Sequence, residues 1–289
     1  MACDLHIHSD ASDGGFTPVQ VVEHASHIGL SCISLTDHDT FDGIDEAARR
    51  ARELSLPFIP GIEMTAVLEQ NEIHILGYFA DCSEEKICKA LVRGRSNTVK
   101  RLTYITEKLT RLGYPVDIAE VEEISGRGSL GRPHLALIML RKGYVKTTQE
   151  AFERYIGSEG PAYVPPIAIS PREVYQLIRG AGGIPAIAHP GLPGRADMMG
   201  DNEIAVHREW GAEAIEVFHP RHDDYMTGLY LKLARKFNMA VVGGSDCHGP
   251  YYPHILMDRK KVPDWVAEKF ISYHESQRGS VSRVPSRQG

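Results

Sequence analysis

Short apolar runs of strand-like composition recur along this chain, and one after another they end on histidine or a carboxylate. The first is Asp4-Leu5-His6-Ile7-His8. Side chains alternate faces along a β-strand, so His6 and His8 share one side while Leu5 and Ile7 pack on the other. Two imidazoles presented together by a rigid strand make half of a metal site. After a polar loop from Ser9 to Phe16, Thr17-Pro18 reads as an N-cap with proline at the first helical position, and Val19, Val22, Ala25 and Ile28 form a helical stripe that stops at Gly29. Ser31 to Leu35 is strand-like and delivers Thr36-Asp37-His38-Asp39. A helix from about Asp42 to Leu54 leads to a strand from Pro57 to Pro60 that ends at Gly61-Ile62-Glu63. Glu72 to Phe79 is a further strand, with His74 and Leu76 on one face. Strand, helix, strand with short connections predicts a parallel α/β sheet or barrel.

The alternation breaks after about Ala80. From Glu84 to Ser158 the pattern is helical, with helices expected over Ser96 to Leu112, Asp117 to Ile124, Pro133 to Arg141 and Thr148 to Ile156. The chain therefore divides into a first barrel part (1–82), a helical insertion (83–160), a second barrel part (161–275) and a tail (276–289) whose Ser, Arg and Gly content reads as disordered. The insertion's apolar stripes are core-forming. Arg93, Lys100, Arg101, Lys108 and Arg111 line one side of its long helix. They form either a track for a nucleic-acid backbone or a solvated charged face.

In the second part, Ser170-Pro171 caps a helix, Gly183 to Ala188 ends in His189-Pro190, Ala214 to Phe218 ends in His219-Pro220, and Ala240 to Gly243 ends in Gly244-Ser245-Asp246-Cys247-His248. Fourteen histidines are many for 289 residues, and the carboxyl ends of barrel strands converge on one mouth. His6, His8, Asp13, His38, Glu63, His74, His189, His219, Asp246 and His248 lie in or just after these strands, and together they are read as a metal site. Cys247 packs on the other side of its strand. Five cysteines with no Cys-x-x-Cys fit reduced thiols, and no apolar run approaches a membrane span or a signal core, so a cytoplasmic protein with no membrane partner is expected. A net charge of −6 argues mildly against binding nucleic acid through overall charge.

The motifs Asp4-Leu5-His6-Ile7-His8-Ser9, Thr36-Asp37-His38-Asp39, Gly61-Ile62-Glu63, His74-Ile75-Leu76-Gly77, Ala188-His189-Pro190 and Gly244-Ser245-Asp246-Cys247-His248 resemble those of the PHP (polymerase and histidinol phosphatase) superfamily. They are most similar to its stand-alone metal-dependent phosphoesterases, a group with nucleotide 3′,5′-bisphosphate phosphatases and a 5′ to 3′ exoribonuclease. The resemblance implies an α/β fold, a distorted (β/α)7 barrel with an all-helical insertion, and two or three divalent ions, Mn, Fe or Zn. It implies that His6, His8, Glu63 and Asp246 hold one ion, that Glu63 bridges to a second at His74 and His189, and that Asp13, His38 and His248 match a third site, where some relatives have His in place of Asp13.

The chemistry implied is phosphoester hydrolysis by a metal-bridging hydroxide, with Asp246, His248 and His219 as catalytic candidates. Ser129-Leu130-Gly131-Arg132-Pro133-His134 resembles the family's Gly-Arg-x-His turn, which makes Arg132 and His134 substrate-binding candidates. The plainer reading is an Arg132 ion pair with His134 as a helix N-terminal residue. His219, Arg221 and His222 are further candidates for lining the mouth. The expected substrate is a small phosphorylated metabolite such as a nucleoside 3′,5′-bisphosphate. The alternative is a 5′-3′ exonuclease on a short oligonucleotide. A metal-binding regulatory domain and a metal-dependent amidohydrolase are weaker readings, the latter because no Lys stands at a strand end to bridge metals as a carbamate.

Overall fold

The structure, a computed structural model, describes residues 2–69, 71–125, 130–167, 169–191, 198–251, 257 and 261–281. Its first elements are β1 (Ala2–Ile7), α1 (Pro18–His27), β2 (Leu30–Leu35), α2 (Ile44–Glu53), β3 (Phe58–Leu68) and β4 (Asn71–Tyr78). Thr17 caps α1 as its sequence suggests: its Oγ1 accepts from Gln20 N at 3.2 Å while Gln20 Oε1 accepts from Thr17 N at 2.9 Å. Helices α3 (Glu85–Arg111), α4 (Ile118–Ser125), α5 (Arg132–Arg141) and α6 (Thr148–Ala151), the last running on into a π-turn at Phe152–Ile156, then interrupt the strands. The chain resumes with α7 (Pro171–Gly180), β5 (Ile184–Ile187), α8 (Asp201–Trp210), β6 (Ala214–Phe218), α9 (Asp224–Lys236), β7 (Ala240–Gly243), β8 (Val262–Pro263) and α10 (Trp265–Val281). Among the described residues no helix is long and apolar enough to cross a membrane.

The strands lie in the order β7-β6-β5-β4-β3-β2-β1-β8. Past the ends of β1 and β7 the sheet nearly closes into a barrel, through His8 N to Cys247 O at 3.0 Å and Asp246 N to His6 O at 2.9 Å. Residues of the two motifs expected to bind metal therefore also make the seam. Gly244 belongs to this seam, because a Cβ there would overlap the backbone and Cβ of His6. The barrel is less parallel than its sequence suggests. β3 runs on to Leu68 and turns back into β4 as an antiparallel hairpin, and β4 is antiparallel to β5 as well. The register pairs Thr65 with His74 and Glu63 with Leu76, so β4 offers the same mouth its amino-terminal half where parallel strands offer their carboxyl ends.

Leu5, Ile59, Leu76, Ala186 and Val242 fill one core, and Phe270 of α10 packs against it. The helices between β4 and β5 have an apolar core of their own, including Leu102, Ile105, Leu109, Leu135, Met139 and Ile156. The long helix begins at Glu85, well before the expected Ser96, because Glu84 caps it by accepting from the N–H groups of Lys86 and Ile87. The basic residues on it are largely engaged. Arg101 is buried, Lys108 donates to Tyr163 O, Arg93 pairs with Glu173 and Arg111 lies 3.9 Å from Glu107. Lys100 is exposed, but a continuous basic track is not what this face presents. Helix α10 continues to Val281, into the segment expected to be disordered; 282–289 lie outside the described residues.

Candidate metal centre

Glu63, wholly buried in β3, is the centre of the mouth. Its Oε2 lies 3.2 Å from His6 Nε2, 3.2 Å from His8 Nε2 and 3.3 Å from His38 Nδ1, and its Oε1 lies 3.1 Å from His74 Nδ1 and 3.0 Å from His189 Nε2. Asp246 stands opposite, Oδ1 at 3.2 Å from His8 Nε2 and 3.6 Å from His6 Nε2. Beside them His248 Nε2 is 3.3 Å from Asp13 Oδ1. Three overlapping clusters result: His6, His8, Glu63 and Asp246; His38, Glu63 and His74; and His8, Asp13, His38 and His248. These sets differ from the expected ones in three ways. His38 also reaches the Glu63–His74 group, His8 also reaches the group around Asp13, and His189, expected beside His74, belongs to none of the three although its Nε2 lies 3.0 Å from Glu63 Oε1.

The residues fit divalent ions. Ligand atoms about 2.1 Å from a shared ion lie about 3.0–3.4 Å from each other, which is the spacing around Glu63. Among the described residues neither ring nitrogen of His8 has a hydrogen-bond partner of good geometry, although the ring is buried and Nε2 faces two carboxylates at 3.2 Å. Five imidazoles on one carboxylate are more donors than two oxygens satisfy, whereas all can serve as ligands. The electrostatics agree. Burial would raise Glu63 and Asp246, but the facing imidazoles, His6 foremost, hold both carboxyls well below the usual range. Burial would likewise depress His74, but Glu63 lifts it to about 10. Imidazole and carboxylate donors without thiolate suit Mn, Fe or Zn.

A buried polar layer fixes these groups. Asp4 accepts from His6 N and Ser245 N, and Asp37 accepts from Ser9 N, Ser9 Oγ and Ser12 Oγ at 2.6–2.7 Å, shaping the loop that carries Asp13. Asp246 and His189 take left-handed backbone, φ 55° and 25°. Such conformations in non-glycine residues cost about 1–3 kcal/mol each and concentrate at functional sites. Glu216, in the middle of β6, was not singled out by its sequence position. It is wholly buried, lies 2.9 Å from His6 Nδ1 and accepts from the backbone N–H of His189 at 2.7 Å, so it orients the His6 ring and anchors the main chain that carries His189. A single acid inside the apolar run Ala214 to Phe218 was the available signal. Glu216→Gln is expected to weaken Mn²⁺ binding to the metal-depleted protein by about tenfold or more. Calorimetric titration of both proteins checks this, and equal affinities would deny Glu216 that role.

The remaining candidates are distributed unevenly. Buried His219 accepts from Arg221 N through Nδ1 at 3.2 Å, so its proton sits on Nε2, 3.5 Å from Asp246 Oδ2. The Arg221 side chain is exposed and is not among the described residues that line the cleft beside Asp13, His38 and His74. His222 is not among them either. It is buried and bridges two loops, Nδ1 donating to Val217 O and Nε2 accepting from Gly191 N, and burial lowers it to about 4, so it is neutral. Cys247 packs inward as expected, its thiol raised by burial to about 11.

Arg132 opens α5 as expected, and Leu130, Gly131, Arg132 and Pro133 face Asp13, His38 and His74 across a cleft of about 250 Å³. Arg132 Nη2 pairs with Glu72 at 3.1 Å and its guanidinium lies over Phe152, 5.7 Å from the ring centroid. His134 is buried and accepts from Gly131 N through Nδ1 at 3.2 Å, leaving its proton on Nε2. Ser129 lies outside the described residues.

A nearly closed α/β barrel that gathers imidazoles and carboxylates at one mouth defines a metal-dependent hydrolase. The PHP domain family matches residues 4–158, and the chain belongs to that family. A 5′-3′ exoribonuclease of Haemophilus influenzae is 31% identical to it over 86% of this chain and 90% of the relative. A 3′,5′-nucleoside bisphosphate phosphatase of Chromobacterium violaceum is 28% identical over 86% of this chain and 87% of the relative. A crystal structure described as a metal-dependent phosphoesterase of Bifidobacterium adolescentis superposes with a TM-score of 0.87 at 30% identity, covering 93% of this chain and 95% of that one. The protein is a metal-dependent phosphoester hydrolase.

Proposed function

We propose that the enzyme hydrolyses a phosphate monoester of a small metabolite, in the first place a nucleoside 3′,5′-bisphosphate. His6, His8, Glu63 and Asp246 would hold one ion, and Glu63 would share its other oxygen with a second at His74 and His189. Asp13, His38 and His248 would serve a third. Divalent ions bound there supply a nucleophilic water at neutral pH and neutralise phosphoryl charge. Arg132 binds the phosphate by its planar fork, at the start of α5 where the helix's free N–H groups also favour an anion. His134, its proton on Nε2, is a second donor on the same turn. His219 orients Asp246 through Nε2–H and can hydrogen-bond the leaving oxygen, which takes its proton from water because a neutral imidazole whose Nδ1 already accepts from Arg221 N has none to give.

The observation that carries the small-substrate reading is the cleft itself, walled on one side by Leu102, Leu130, Arg132 and Phe152 of the helical segment. A bounded cleft suits a small ligand. The engaged basic residues of α3 argue the same way, since a polymer needs a free cationic track. With Mn²⁺, adenosine 3′,5′-bisphosphate is expected to release phosphate at a kcat/KM at least about tenfold above that for shortening a 5′-phosphorylated oligoribonucleotide. An inert bisphosphate beside a shortened RNA would move the assignment to exonuclease, the activity named for the Haemophilus relative.

A further inference from the structure

Glu72 stands two residues before His74 on β4, so both side chains emerge on the face that meets the cleft. Its Oε1 lies 3.1 Å from Arg132 Nη2 and 3.6 Å from His74 Nε2, and its Oε2 lies 2.6 Å from Arg101 Nη1. Among the described residues, these are the ion pairs that tie α3 and α5 to β4. His74 has thus divided its nitrogens, Nδ1 to Glu63 and Nε2 toward Glu72. A carboxylate behind a ligating imidazole fixes its orientation and raises its basicity. The same carboxylate oxygen neutralises the arginine assigned to substrate phosphate.

We infer that Glu72 is a positioning residue that couples the second metal position to the phosphate clamp, strengthening the first and restraining the second. The inference rests on the assignment of His74 as a ligand and of Arg132 as the phosphate donor. An anion held against Arg132 competes with any phosphate that arrives there, so Glu72 sets how strongly the enzyme holds free phosphate.

The test is Glu72→Gln, which keeps shape and removes charge, read by two binding measurements. Mn²⁺ affinity of the metal-depleted protein is expected to fall about tenfold at one class of sites. At saturating Mn²⁺, inorganic phosphate is expected to bind about fivefold more tightly, because Arg132 loses its competing anion. Structural damage would weaken both together, so the opposite signs identify the coupling. In a His74→Ala background, Glu72→Gln is expected to change Mn²⁺ affinity no further, since the effect passes through His74. Unchanged Mn²⁺ affinity in Glu72→Gln, or a phosphate affinity that fails to rise, overturns the inference while leaving the ligands standing. Unchanged Mn²⁺ affinity in His74→Ala overturns the ligand assignment and the coupling with it.

Discussion

Glu63→Gln is expected to reduce phosphoester hydrolysis by at least about 10³-fold, about 4 kcal/mol of barrier. Both oxygens of Glu63 face imidazoles, and an amide replaces one of them with an NH₂ that presents protons where a cation should sit. The substitution conserves volume in a wholly buried position, and His6 keeps its contact with Glu216, so the barrel should persist with an unchanged circular dichroism spectrum. The loss should be visible without turnover. A ligand at a hundred times its dissociation constant stabilises the fold by about 2.7 kcal/mol. The wild type should therefore melt several degrees higher on adding Mn²⁺, and Glu63→Gln should respond much less. A variant with a full melting response and activity within about tenfold of wild type would mean that Glu63 shares no ion with these imidazoles.

How much of this could be read beforehand depended on whether a feature was local. The Thr17 cap, the helix stop at Gly29 and the histidines at strand ends are set by near neighbours, and each lies where its sequence suggests. The direction of β4 is not local in that sense. Ending the preceding strand at Pro60 left Met64 to Leu68 unassigned, whereas that largely apolar stretch continues β3 and, across a short turn, makes a hairpin. Metal candidates on β4 survived the error because His74 reaches the mouth from either direction once its register with Thr65 is set.

Charges were harder to place than ligands. A stripe of Arg and Lys on a helix defines a face but not what that face meets. Arg101 is buried because Glu72 and Val164 O, far away in sequence, receive it, and Lys108 is likewise spent on Tyr163 O. Glu216 escaped notice for the converse reason: it sits inside a strand, not at its end, and its partners His6 and His189 come from two other strands. The site's candidate ligands are legible as motifs, while the groups that orient them are legible only as contacts.

Arg132→Ala is expected to raise KM for a phosphate monoester about a hundredfold, about 2.7 kcal/mol, while kcat changes little, because a phosphate held by a guanidinium fork is held in ground state and transition state alike. Arg132 also ties α5 to β4 through its pair with Glu72, and a role confined to that tie predicts different data. If the pair only ties α5 to β4, truncation should lower the melting temperature and disturb kcat as much as KM. Glu72 keeps Arg101 after the truncation, so the stability loss from that source should stay near about 1 kcal/mol. Arg132→Lys separates the roles further. Lysine restores a cation for Glu72 but not the planar fork, so it should recover stability and leave most of the KM defect in place. Recovery of KM by lysine would reduce Arg132 to a point charge, and an unaltered KM in Arg132→Ala would remove it from the phosphate altogether and return the clamp to His134 and the α5 N-terminus.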